Sequence, residues 1–233
     1  DLRWNPSDVN DGIVTDTPVD DNPNDDEEEE EEEEIIPNGK KLYLSTEGNN
    51  NNDGLTPATA KATFATAVAA ALDGDTIIVA DGLYSEAYEI KFEKLGVVVM
   101  AAEGAKPVVQ LTGQWTSIVL MATTTFDGIT FDGAGIAYYL LSSKGTDAGT
   151  FTFKNCEFTN WDSYWAISNQ YSDNTHVKSV VVDNCIFHNA TGAAIHFNEN
   201  GPRGAHACDN LTITNSTFYN LSVVEWVGII QLD

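Results

Sequence analysis

The chain has 233 residues, 42% of them apolar, enough for one sizeable hydrophobic core. It carries 36 acidic against 11 basic residues, a formal net charge of −25. That balance excludes nucleic acid or an anionic membrane surface as the natural partner, because both demand clustered Lys and Arg. No apolar run reaches the roughly 18 residues that a membrane-spanning helix requires.

The charge is unevenly placed. Residues 1–34 hold 16 acids, including the run Glu27 to Glu34, against the single base Arg3. With Pro6, Pro18, Pro23 and Pro37 among Asp and Asn clusters, residues 1–38 cannot bury apolar surface and read as a disordered acidic tail or linker. The chain begins at Asp1 rather than Met, which is compatible with removal of a leader.

The folded part is expected over residues 39–233. Lys41 to Ser45 reads as a short strand, and Asn49 to Gly54 as a polar turn. Thr63 to Leu72 has the one helical pattern. Phe64, Val68 and Leu72 recur at i, i+4, i+8, with Thr63 as N-cap and Gly74 as stop. A single amphipathic helix ahead of strands suits a cap that covers the open end of a β-solenoid. Gly74 to Glu86 reads as a buried strand, a tight Asp81-Gly82 turn and the start of a second strand, and further strands are expected at Tyr88 to Ile90, Val97 to Met100 and Pro107 to Leu111.

From residue 126 a phrase recurs: Phe126 to Phe131, Phe153 to Asn160, Val182 to Asn189, Ile213 to Asn220. Its last Phe falls at 131, 158, 187 and 218, a period near 30 residues that marks a solenoid. The apolar residues alternate as in strands, and each phrase ends in Gly or Asn, which tolerate left-handed backbone. A second apolar burst follows, as at Ala166-Ile167 and Ala193 to Ile195, so each repeat has at least two strands. Helical and leucine-spaced arrays lack support, leaving a parallel β-helix with like residues stacked over like. Phe131, Phe158, Phe187 and Phe218 form one expected stack. Asn160, Asn189 and Asn220 form a corner ladder, and Cys156, Cys185 and Ser216 a stack of small residues. Cys156 and Cys185 read as buried core thiols, with a disulfide between them as the alternative, while Cys208 sits in a Gly-rich loop. The strand Val227 to Leu232 is followed by no cap, so either the natural protein continues or another chain, such as a further surface protein, covers that end.

The opening Tyr43-Leu44-Ser45, Gly48, Asp53-Gly54, Thr63-Phe64, Ala67-Val68, Gly74 to Ile77 and Asp81 to Glu86 resembles right-handed parallel β-helix proteins of the pectate lyase-like superfamily. It is most similar to chondroitinase B and alginate lyase-type polysaccharide lyases and to related surface proteins of Bacteroidetes. The resemblance covers roughly residues 41–233. It implies an all-β parallel β-helix with an N-terminal capping helix, and a polysaccharide partner outside the cell or at its surface, an outer-membrane lipoprotein being one form of such a surface protein. The same superfamily includes lyases, hydrolases, epimerases and adhesins, so fold alone does not assign activity.

Its lyases use a basic residue as base, often with Ca²⁺ to neutralise the substrate carboxylate. The resemblance therefore implies Ca²⁺ as an optional cofactor. Gly192 to His196 resembles a catalytic segment of these enzymes, with His196 where the family carries Arg. His196, Glu199, Arg203 and His206 are the resulting catalytic candidates, with His176, Lys178 and His188 about one coil earlier. The alternative is that His188 and His196 merely alternate outward, and that Arg203 pairs with Glu199. Trp161, Tyr164, Trp165, Tyr171 and Trp226, with Trp115 earlier, are candidates for stacking on sugar rings; the alternative is that they pack loops onto the flank. Two functions stand open: a carbohydrate-active β-helix that cleaves or grips a polysaccharide by β-elimination or binding, and a non-catalytic adhesin or scaffold of an outer-membrane assembly.

Overall fold

The computed structural model describes residues 39–145, 148–169, 175–197, 207–222 and 228–232. The chain divides into two units, residues 1–34 and 35–233. The expected acidic tail, 1–38, lies outside the described residues, as do Tyr171, Glu199, Arg203, His206 and Trp226.

The described residues form the expected parallel β-helix. Three sheets make its faces, and every pairing between named strands is parallel. The first sheet has seven strands, from Lys41–Leu44 through Thr76–Val79, Val97–Ala101, Thr124–Asp127, Thr150–Lys154 and Val177–Asp183 to Cys208–Thr214. The second runs from Leu83–Glu86 through Val108–Leu111, Thr130–Asp132, Glu157–Thr159 and Ile186–Ala190 to Thr217–Leu221. The third runs from Ile90–Phe92 through Ile118–Leu120, Tyr139–Ser143, Trp165–Asn169 and Ala193–Phe197 to Ile230–Leu232. The chain visits the three sheets in turn, so each coil contributes one strand to each face.

The repeated phrase is thus two strands rather than one. It breaks at Asn155, Asn184 and Asn215, which adopt φ of 53°, 53° and 51°. Left-handed backbone at one residue bends the chain out of one sheet and into the next, and Asn tolerates it better than most residues. The side chains then bond between coils. Asn184 Nδ2 donates to Asn155 Oδ1 at 2.7 Å, and Asn155 Nδ2 to Asp127 Oδ1 at 2.7 Å. Asn215 Nδ2 and Thr214 Oγ1 both donate to Asp183 Oδ1, at 2.9 and 2.7 Å, and hold that carboxyl below its ordinary range. The expected corner at Asn160, Asn189 and Asn220 is the second break, again at positive φ. There Asn220 Nδ2 reaches Asn189 Oδ1 at 2.5 Å, while Asn160 Nδ2 turns to Asp132 Oδ1 at 3.0 Å.

The core follows from the register. Phe131, Phe158, Phe187 and Phe218 pair in successive coils, and their rings stack at centroid distances of 5.3, 4.3 and 4.7 Å. A second line of rings, Phe92, Phe126 and Phe153, packs against it. Cys156 and Cys185 are buried free thiols, as the composition of that position suggests, each donating to backbone carbonyls. Burial pushes the Cys156 thiol well up. Cys208 is not in a loop but opens the strand Cys208–Thr214, half-buried, with burial raising its thiol to about 11.

The capping helix spans Phe64–Ala70, with Thr63 Oγ1 accepting from Thr66 N as its N-cap. Phe64 and Val68 face the core, but Leu72 does not: the helix ends before it, and Leu72 is 56% exposed. The cause is Asp75, whose Oδ2 takes the Leu72 N–H at 2.8 Å and whose Oδ1 takes that of Lys40 at 2.7 Å. A side chain thereby captures the donor that would have extended the helix. Near the other end, Glu86 Oε1 accepts from Ala65 N at 3.2 Å, tying the cap to the second sheet.

Candidate functional site

The histidine candidates do not converge. Lys178 lies in the first sheet's strand Val177–Asp183 with His176 just before it, His188 lies in the second sheet and His196 in the third, so they stand on three different faces. His176 Nε2 meets Asp209 Oδ1 at 2.9 Å near the surface. His188 Nε2 meets Glu157 Oε1 at 2.7 Å, and its ring lies parallel to Tyr219 at 4.9 Å. His196 is only 4% exposed. Glu199, Arg203 and His206, expected beside it, lie outside the described residues. Among the described residues no three of His, Cys, Asp and Glu are grouped as a metal site.

The aromatic candidates separate into two kinds. Trp161 is 1% exposed and belongs to the core. It follows the left-handed Asn160, and its indole lies against Gly192, where a Cβ would fall 2.9 Å from Nε1 and 2.1 Å from the Tyr164 carbonyl oxygen. Trp165 is 6% exposed, with the His196 ring flat against it at 4.1 Å and 9°. Neither ring offers a free face to a sugar. Tyr164 is half-buried, while Tyr171 and Trp226 lie outside the described residues.

The register instead builds a strip that the sequence reading missed in part. Tyr139 pairs with Trp165 in the third sheet, so Tyr138-Tyr139 and Tyr164-Trp165 occupy equivalent places in adjacent coils. Trp115, one coil earlier, packs edge-on to Tyr138 at 4.8 Å and within 6.3 and 6.4 Å of Tyr139 and Tyr164. Tyr138 meets Tyr164 at 4.9 Å, and Tyr139 stacks on Tyr164 at 5.2 Å. Tyr139 then touches Trp165 at 5.6 Å, which carries the line to His196. Gln114 Nε2 donates to the Tyr138 hydroxyl and braces the strip from the side. Trp115 is 65% exposed; Tyr138, Tyr139 and Tyr164 are half-buried. Five aromatic side chains are in contact across three coils, and four of them, Trp115, Tyr138, Tyr139 and Tyr164, reach the surface, with Trp115 the most open to solvent. The repeat phase was the signal that could have located Tyr138 and Tyr139: they precede Tyr164 and Trp165 by 26 residues, about one repeat.

Beside this strip, at the corner between the second and third sheets, lies an open groove of about 480 Å³. Gln110, Asp132, Asn160, Asp162, Asn189 and Thr191 supply its polar groups. Asp132 is held by three donors: Gln110 Nε2 at 2.9 Å, Asn160 Nδ2 at 3.0 Å and the Ala134 N–H at 2.8 Å. Thr191 Oγ1 donates to Asp162 Oδ1 at 2.5 Å and accepts from Ser163 N at 3.0 Å. The groove and the strip are continuous along the backbone, since Asp162 precedes Tyr164 by two residues and its N–H bonds to the carbonyl of Ala137, next to Tyr138. Sugars are recognised by this pairing of apolar ring faces with fixed hydroxyl partners.

Among solved structures, one titled rhamnogalacturonan lyase aligns at 13% identity with a TM-score of 0.42, over 79% of this chain and 54% of that one. The pectate lyase Pel9A aligns at 17% identity with a TM-score of 0.40, over 81% of this chain and 56% of that one. The chain spans about half the length of these structures. No curated protein matches its sequence. The family model described as a domain of unknown function, DUF4957, matches residues 82–221, which run from the second sheet's first strand to its last and include the whole strip and groove. The chain belongs to the DUF4957 family.

Proposed function

We propose that the protein is a glycan-binding β-helix whose contact surface is the strip of Trp115, Tyr138, Tyr139 and Tyr164. The observation that carries this reading is Trp115: a large apolar ring, 65% exposed, held edge-on by Tyr138 instead of being buried. Exposed Trp and Tyr rings fixed by their neighbours present flat apolar faces at little cost in side-chain entropy. The strip crosses adjacent coils, so its length suits a chain of sugar units rather than a single one. A polysaccharide partner carries with it an extracellular or cell-surface location.

Gripping is favoured over cleaving. A general base has to reach the proton it removes, and His196 is buried with one ring face covered by Trp165. Its proposed companions Glu199, Arg203 and His206 keep their candidacy as a lyase cluster only if polyuronates are cleaved. The test is affinity electrophoresis of the intact chain through a panel of soluble polysaccharides, together with a scan for the absorbance of unsaturated uronates. Retardation by at least one polysaccharide is expected, weakened about tenfold by Trp115→Ala, with no unsaturated product. Equal retardation of the wild type and of Trp115→Ala in every gel would remove the strip as the binding surface. Product formation abolished by Arg203→Ala would replace binding with lyase activity.

A further inference from the structure

We infer that the glycan is an uncharged, hydroxyl-rich polysaccharide rather than a polyuronate, and that the groove beside the strip holds its sugar hydroxyls. The inference rests on the glycan-binding reading above and narrows its ligand.

Three observations carry it. First, among the described residues the ionisable groups lining the groove are Asp132 and Asp162, and none of its lining side chains is basic. A polyuronate carries a carboxylate on every unit, and two carboxylates in one groove repel it unless a cation intervenes. Second, the strip is equally without a positive charge. Among the described residues the Lys side chains of this face lie toward the far ends of its strands: Lys91 pairs with Val119, and Lys144 directly follows Tyr139–Ser143. Lys144, five residues from Tyr139, stands roughly 16 Å away at the rise of a strand. Third, the groove's polar atoms are already oriented. Asp132 is fixed by three N–H donors and Asp162 by the Thr191 hydroxyl, while Asn160 and Asn189 are locked at positive φ. Fixed carboxylate and amide groups suit hydroxyls, each of which donates one hydrogen bond and accepts others. A carboxylate accepts only, so a uronate carboxylate would meet the carboxylate oxygens of Asp132 and Asp162 with no hydrogen between them. The folded unit, residues 35–233, is itself net negative, with 20 acids against 10 bases, which adds long-range repulsion to the local one.

The experiment compares the intact wild-type chain with Trp115→Ala and Asp162→Ala by affinity electrophoresis and calorimetry. Xyloglucan, arabinan, galactan and galactomannan are the neutral probes; polygalacturonate and alginate are the anionic ones, each with and without Ca²⁺. Thermal melting checks that both variants fold. The expected result is binding to at least one neutral polysaccharide, insensitive to salt and weakened about tenfold by either substitution. Binding to polygalacturonate or alginate that is lost in Trp115→Ala would overturn the inference and leave the glycan-binding reading standing. Uronate binding that appears only with Ca²⁺ would overturn it in the same way, with the two Asp residues acting through the cation. Neutral binding unchanged in a folded Asp162→Ala would remove the groove from the site. No binding to any probe would sink both readings together.

Discussion

The imidazole of His196 lies flat on the indole of Trp165, 4.1 Å between centroids and 9° between planes. One had been a candidate base and the other a candidate sugar platform, yet each ring covers a face of the other. The pair therefore belongs to the packing of the third sheet. Trp165→Ala should cost about 3–5 kcal/mol, the usual range for truncating a buried aromatic. At this chain length that lowers Tm on the order of 10 °C. Glycan binding by the folded fraction should persist. Lost binding at an unchanged Tm would return Trp165 to the binding surface.

The Phe stack predicts a graded series. Phe158 is fully buried between Phe131 at 5.3 Å and Phe187 at 4.3 Å, while Phe218 ends the line half-buried. Phe158→Ala should destabilise by about 3–5 kcal/mol and Phe218→Ala by clearly less. Urea midpoints at constant m measure both. Equal losses would mean that Phe218 is as enclosed as Phe158.

Asn184 separates backbone from side chain. Its φ is 53°, and its amide bonds Asn155 across the coils at 2.7 Å. Asn184→Gly keeps the left-handed corner and removes only the bond, a loss of about 0.5–1.5 kcal/mol. Asn184→Ala adds a left-handed penalty of about 1–2 kcal/mol. The Ala variant should melt below the Gly variant; the reverse order would show that the left-handed corner carries no such penalty for a side chain.

Tyr84 predicts an alkaline limb. Its hydroxyl donates to the Ala80 carbonyl at 2.9 Å, and burial raises its pKa from 10.0 to about 12, with Asp81 adding to the shift. The folded state holds the proton more tightly than the unfolded one. The associated stability is complete below pH 10 and lost as pH rises from about 10 toward 12. Tm measured across that window should fall in the wild type and fall less in Tyr84→Phe. Parallel curves would assign the alkaline loss to other groups.

Much of this architecture was legible in the chain. The spacing of Phe131, Phe158, Phe187 and Phe218 placed them in one stack, and the stack exists because identical steps along a coil bring identical positions one strand apart. Thr63 announced its helix as an N-cap. Leu72 misled because helical spacing carries no information about Asp75, whose carboxylate takes the Leu72 N–H and stops the helix early. Asn155, Asn184 and Asn215 were read inside strands because alternation continues through them, although their φ sends the chain to another sheet.

The site divides along the same line. Sequence alone determined that residues near 30 apart share a face, that Trp and Tyr gather around residues 115–165, and that the acidic balance does not suit nucleic acid or an anionic membrane surface. These follow from periodicity and composition, which are properties of the chain as written. Only the tertiary structure decided which aromatic rings are open. Trp161 enters the core after a left-handed corner and Trp165 is covered by His196, whereas Trp115 stays exposed against Tyr138. Exposure depends on what the neighbouring coil places over a ring, and that neighbour lies a full repeat away in the chain.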